Sequence, residues 1–327
     1  MKPITVCLLV FLFMNPPQSR SQTGPLKGTT LGDKTISYKV VESMPVAIQV
    51  GNLSAMLVGN QGFGTVHRPG YNGLTQLRMG KSPSPFVESY AGLNLEHVNN
   101  GVRYEDKDLQ FEPRKHPMEV RKVADNVYEL YQKPLPNTGL ESCTRFHFQA
   151  DGVVDVIFEC VPRKDHFPYG YLNLFWASYI QAPADNAIYF LGRKKGTTGE
   201  DWIKGVTPKH GVLSTHRQAT DRRDFRREEP FPLTLVFNES DWEYTRSFYY
   251  GRYADHFLAM LFHPKDNIRF TQSPSGGGNG NPAWDFQWFI DSPKKDKLYS
   301  LRFRTVWGPW TNPADIQSRY QKFLSTP

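Results

Sequence analysis

The sequence predicts an all-β protein, a large antiparallel β-sandwich ending in a short helix, and three observations carry that expectation. Turn signals of the Asn-Gly and Asp-Gly kind recur between runs of aromatic and β-branched residues. Helical periodicity is scarce before residue 312, and no long linker or low-complexity run divides the chain.

Taken in order, Asn100-Gly101 is expected to join strands over 93–99 and 102–111, Asp125-Asn126 those over 118–124 and 127–132, and Asp151-Gly152 those over 142–150 and 153–161. These turns need positive φ, which Asn, Asp and Gly tolerate, so the first half reads as a β-meander. Further strands are expected over 172–181, 187–192, 233–237, 257–263, 268–272, 283–290 and 297–306. At the C-terminus Asn312 is an N-cap, Pro313 the first helical residue and Asp315 lies in the first turn, with Ile316, Tyr320, Phe323 and Leu324 on one face. A weaker helix signal covers 241–251. The charged stretch 194–230 and the Gly-rich stretch 273–282 read as long loops.

Residues 1–21 have the layout of a secretory signal: Lys2, an apolar run from Ile4 to Met14, then Ser19-Arg20-Ser21 before a cleavage near Gln22. The expectation is a secreted or periplasmic protein, with 22–327 as a single domain. No apolar run approaches the roughly 20 residues that span a bilayer, so membrane insertion is not expected. The signal contains Cys7, leaving Cys143 and Cys160. A two-residue turn at 151–152 sets these two opposite each other in a non-hydrogen-bonded pair, the geometry of a cross-strand disulfide. The formal charge is +7, of which Lys2 and Arg20 supply two. The remaining basic balance suits a polyanion, although net charge speaks to association rather than to fold.

Motif searches limit the chemistry. There is no phosphate-binding Gly loop, no His-Glu-x-x-His, no Gly-x-Ser-x-Gly and no zinc-type Cys/His spacing, so no cofactor and no metal is expected; no nucleic-acid module is present either. What remains is a set of histidines, arginines, acids and aromatics on strands. Arg145 and His147 share a strand face, away from Phe146 and Phe148. His97 follows Glu96, and alternation allows only one of the two into a given groove; His97 is the candidate. His256 with Asp255 abuts the apolar run 257–262. Asp285 and Gln287 follow the Gly-rich loop, and Asn72 offers another amide. Tyr71, Tyr179 and Trp284 are candidates for stacking on sugar rings, although most aromatics of so aromatic a chain are core. The Arg217 to Arg227 cluster is interleaved with acids and reads as a self-paired loop.

The segments Tyr71-Asn72-Gly73, Tyr90-Ala91-Gly92-Leu93-Asn94-Leu95-Glu96-His97, Phe175-Trp176-Ala177-Ser178-Tyr179-Ile180 and 263–270 resemble a group of secreted proteins of planctomycete-type bacteria. The many-stranded pattern more loosely resembles the galactose-mutarotase-like supersandwich, shared by sugar epimerases and some polysaccharide lyases. That resemblance is architectural and carries over no residue of the family; it implies a glycan in a concave groove and acid–base chemistry of the epimerase, mutarotase or lyase kind. From the residues themselves, His97, His147 or His256 is expected to move protons, since histidine titrates near working pH, and Arg145 to stabilise negative charge. The resemblance implies a carbohydrate partner, including an anionic polysaccharide; the alternative is a non-catalytic glycan-binding or cell-envelope protein.

Overall fold

A computed structural model describes residues 28–326 apart from 277 and 279. Residues 1–21, read above as a secretory signal, and Cys7 within them lie outside the described residues. Among those described, the strands form three antiparallel sheets of eleven, five and three strands. The large sheet is built around the strands Leu140–Phe148, Val153–Pro162, Tyr299–Pro309 and His256–Phe262, hydrogen-bonded in that order. The five-stranded sheet runs Thr215–His216, Arg269–Ser273, Ala283–Asp291, Tyr171–Ala177, Asn94–Asn99.

The sandwich forms because each strand of the pair of sheets sends one face inward. From the large sheet come Phe146, Phe148, Val156, Phe158, Met260, Phe262, Leu301 and Phe303; from the smaller sheets come Leu57, Leu74, Leu174, Trp176, Trp284 and Phe286, all in one core. Trp176 stacks on Phe286 at 5.0 Å between ring centroids, Phe158 meets Trp176 edge-on at 4.9 Å, and Phe286 meets Phe303 at 5.0 Å. The C-terminal helix Pro313–Leu324 forms as expected, with Asn312 Oδ1 accepting from the Ala314 and Asp315 amides. Its Ile316, Tyr320 and Phe323 cover the outer face of the large sheet.

Several local expectations are corrected. The third hairpin turns over three residues rather than two: Gln149 N–H donates to Val153 O, Phe148 opposes Val154, and Gly152 takes φ +81°. The one-residue difference changes every pairing. Cys143 now faces Glu159 and Cys160 faces Ser142, so the two thiols lie on opposite faces of the sheet and are free. The Asn100-Gly101 turn does not fold back as a hairpin. The chain after it forms a 3₁₀ turn, Lys107–Phe111, and a short helix, Glu112–Lys115. Residues 233–237 contain the helical turn Thr234–Phe237 rather than a strand, and the helix expected over 241–251 is two strands, Trp242–Tyr244 and Phe248–Tyr253. The arginine cluster is self-paired only in part: Arg223 pairs with Asp221 and Arg227 with Glu229 inside the segment, whereas Arg217 pairs with Glu239 and Arg223 also with Asp291, outside it.

Without reductant, denatured protein treated with iodoacetamide should therefore yield Cys143 and Cys160 peptides both alkylated, read by mass spectrometry. A disulfide-linked peptide pair would contradict the register.

Candidate active site

The outer face of the five-stranded sheet is polar where its inner face is aromatic. Trp284, Phe286 and Trp288 point inward, so Asp285 and Gln287 point outward, beside Phe175 and Asn173 of the next strand. The strand Asn94–Asn99 continues this pattern with one break. Phe175 opposes His97 and Trp176 opposes Leu95, leaving Glu96 as an extra residue in a β-bulge. The bulge brings neighbouring residues to the same side: Glu96 Oε2 lies 3.5 Å from His97 Nε2, and both line one cavity. Strict alternation, which admits only one of the pair, fails here.

This cavity, of about 210 Å³, lies between the outer sheet face and the segment Pro232–Val236. Its polar lining comprises Glu96, His97, Gln110, Tyr179, His210, Thr234, Ser273 and Asp285, with Phe111 and Phe175 among the apolar walls. Glu96 Oε1 accepts from Tyr179 Oη at 2.6 Å and from Arg114 Nη1 at 2.8 Å. Arg114 is itself fixed: its Nε donates to Gly70 O at 2.7 Å and its guanidinium packs 3.7 Å from the centre of the Tyr71 ring. The short helix that bears it is tied down by the buried Glu112 carboxylate, which accepts from the Asn137 and Thr138 amides, and by the side-chain amides of Asn60 and Gln132 on Pro113 O and His116 O. Across the cavity, His210 Nδ1 meets Ser273 Oγ at 3.0 Å. Gln110 is fully buried, and its amide nitrogen and oxygen have no protein partner.

Burial decides the protonation states. Asp285 is held well above the usual carboxylate range by desolvation, reinforced by Glu96 and opposed by the Ser178 N–H that its Oδ1 accepts at 2.9 Å. Burial thus favours its protonated form. His97 is pushed down to about 4 by burial, against the pull of Glu96, and Tyr179 is raised well above its usual value, again chiefly by burial. The cavity thus holds a carboxyl whose protonated form burial favours and an imidazole whose neutral form burial favours, beside the Glu96–Arg114 ion pair.

Of the residues singled out in the sequence, His97, Asp285 and Tyr179 converge in this cavity, and Tyr71 supports it from beneath Arg114. The others lie elsewhere. Arg145 is buried in an ion pair with Glu129 at 2.5 Å, on the side of the large sheet opposite Phe146. His147 opposes Asp155 on that same side, and His256 pairs with Asp255 and stacks on Trp307. Asn72 braces the strand by pairing with both the N–H and O of Leu95. Gln287 binds Val236 O, Thr271 and Asn173, and Trp284 is core, its Nε1 donating to Asn186 O. Gln110, Arg114, His210 and Ser273 went unnoticed as site residues. Only Ser273 carried a signal, as the first residue of the Gly-rich loop.

No family model and no curated protein matches the chain. Among solved structures, it is similar to an aldose 1-epimerase-type protein of Escherichia coli K12, with 9% identity over 84% of this chain and 100% of that one, at a TM-score of 0.48. It is also similar to a galactose mutarotase-like protein of Lactobacillus casei, with 10% identity over 81% and 100% of the two chains and a TM-score of 0.45. A heparan sulfate lyase of Pedobacter heparinus matches at 12% identity and a TM-score of 0.41, over 84% of this chain and 38% of the lyase. The likeness is one of strand arrangement and carries nothing about chemistry.

Two pH effects follow from the buried groups, with opposite signs. For His97 the folded value of about 4 lies below the unfolded 6.5, so the unfolded chain binds the extra proton and stability falls as pH drops from 6.5 to 4, by about 3 kcal/mol in all. His216, also pushed to about 4, adds a similar share. Chemical denaturation of His97→Asn across this window should show a slope shallower than wild type by about one proton. Asp285 is raised, so stability falls as pH rises above 3.8, where the unfolded carboxyl ionises and the folded one does not. Asp285→Asn keeps the acceptor for Ser178; its Tm should exceed that of wild type at pH 8 and the gap should shrink toward pH 4. A pH-independent gap would mean that Asp285 is not held neutral.

Proposed function

We propose that this protein is a carbohydrate-active enzyme that works by acid–base catalysis at a sugar's anomeric centre, of the epimerase or mutarotase kind. The observation that carries the reading is the convergence of two carboxyl groups in one small cavity, Asp285, which burial raises well above the usual carboxylate range, and Glu96, ion-paired with Arg114. Environments that separate two such groups assign the acid and the base. Asp285 donates its proton to the ring oxygen while Glu96, with His97 beside it, takes the proton of the anomeric hydroxyl; the ring opens, rotates and recloses with both protons returned. No cofactor is needed for this step.

The cavity suits one sugar ring. At about 210 Å³ it is below the roughly 300–1,000 Å³ of sites that hold drug-sized ligands. Phe111 and Phe175 offer faces to ring C–H groups, and the unengaged Gln110 amide offers two N–H donors and a carbonyl acceptor to hydroxyls. Lyase action on a uronate fits less well. It requires a cation against the sugar carboxylate, whereas no Lys or Arg lines this cavity and Arg114 is engaged by Glu96. The epimerase-like reading therefore leads.

The test is anomer interconversion followed by NMR over a panel of aldoses. Glu96→Gln and Asp285→Asn should each lower kcat by 10²-fold or more, in keeping with loss of a positioned acid or base, while Arg145→Met and His147→Gln leave it within a few-fold. Wild type that binds sugars without converting them would favour a glycan-binding protein, and turnover that survives Asp285→Asn would remove the acid assigned here.

A further inference from the structure

A second hollow of about 560 Å³ lies against the first, and the two share the Phe111 wall. Arg114 joins them: its side chain lines the outer hollow while its Nη1 binds Glu96 in the inner one. The segment 107–116 is thus a partition. Gln110 faces the inner cavity, whereas Asp108, Lys115 and His116 line the outer hollow.

The two compartments differ in charge. The inner one has no Lys or Arg in its lining and contains the Glu96 carboxylate. The outer one gathers Arg114, Lys115 and His116 around the single carboxylate of Asp108. Lys115 meets Asp108 at 2.8 Å, but both side chains are at least half exposed, so water screens that pair and a ligand anion can compete for the lysine. Glu112, 3.9 Å from His116, is already engaged by Asn137 and Thr138.

Resting on the anomeric-centre reading above, we infer that the outer hollow is a second subsite that takes an acidic sugar residue, so that the substrate is the reducing end of an acidic oligosaccharide and not a free monosaccharide. The inner cavity takes the terminal ring, the glycosidic link passes Phe111, and the carboxylate of the adjoining ring lies over Lys115, beside His116. Such substrates are released by chain-cleaving reactions on a uronate-containing polysaccharide, and this protein would act after them.

Calorimetric binding to wild type and to Lys115→Ala, Lys115→Glu and Lys115→Ala/His116→Ala checks the inference. The probes are galacturonate, glucuronate, mannuronate, glucose and galactose as monosaccharides, and galacturonate, mannuronate, glucuronate-containing, glucose and galactose trisaccharides. An acidic trisaccharide is expected to bind at least 10-fold more tightly than any monosaccharide. Lys115→Ala and the double variant should reduce that advantage, Lys115→Glu should reduce it further, and monosaccharide affinity should be unchanged in all three. Equal affinity for monomers and trimers, equal affinity for neutral and acidic trimers, or a Lys115 effect equal on both lengths overturns the second subsite and leaves the anomeric-centre reading standing. If no sugar of either length binds, the underlying reading fails and the inference goes with it. Lys115 is exposed and outside the catalytic set, so its variants do not put folding at risk.

Discussion

Stacking of Trp176 on Phe286, closed by Phe158 and Phe303, is the contact on which the arrangement depends. It fixes which face of the five-stranded sheet is turned inward. Because side chains alternate along a strand, burying Trp284, Phe286 and Trp176 obliges Asp285, Phe175 and Ala177 to face the other way. The polar chemistry of the site is the reverse side of the aromatic core. A change in the register of that core would carry Asp285 away from Glu96.

On this framework a single inserted residue creates the site. The bulge at Glu96 interrupts alternation between Leu95 and His97, so that a carboxylate and an imidazole adjacent in sequence face the same cavity. The surrounding contacts are rigid and polar. Asn72 holds the strand through Leu95, Tyr179 and Arg114 hold the carboxylate, and Glu112 holds the helix that bears Arg114. The groups in contact with the cavity are therefore braced by neighbours with no part in it, the construction a preorganised acid and base require.

The same groups oppose stability. An acid held neutral and an imidazole held unprotonated both pay for desolvation, in opposite pH ranges. A buried polar side chain without a protein partner, as at Gln110, is also unfavourable. A sandwich with this much aromatic burial can carry such groups, and their concentration in one cavity distinguishes it from the ion pairs elsewhere. Arg145–Glu129 and Arg304–Asp155 are also buried or nearly so, but each is a hydrogen-bonded ion pair, Arg145 keeping one unpartnered Nη1, and none of the four lines this cavity.

The sequence by itself determined the all-β class, most of the strands, the capped C-terminal helix, and three of the groups that meet in the cavity: His97, Asp285 and Tyr179. These were legible because alternation, turn residues and capping act over a few residues. Tertiary structure decided the rest. Whether the 151–152 turn took two residues or three separated the cysteines, the bulge admitted Glu96, and the chain beyond Gly101, read as a strand, became the partition that carries Gln110 and Arg114. The sequence could not exclude Arg145, His147 or His256 from the site either, since local pattern gives a side chain's face but not what that face is packed against. Which polar faces meet depends on contacts between residues far apart in the chain, as in the pairing of Tyr179 with Glu96 and of Ser178 with Asp285.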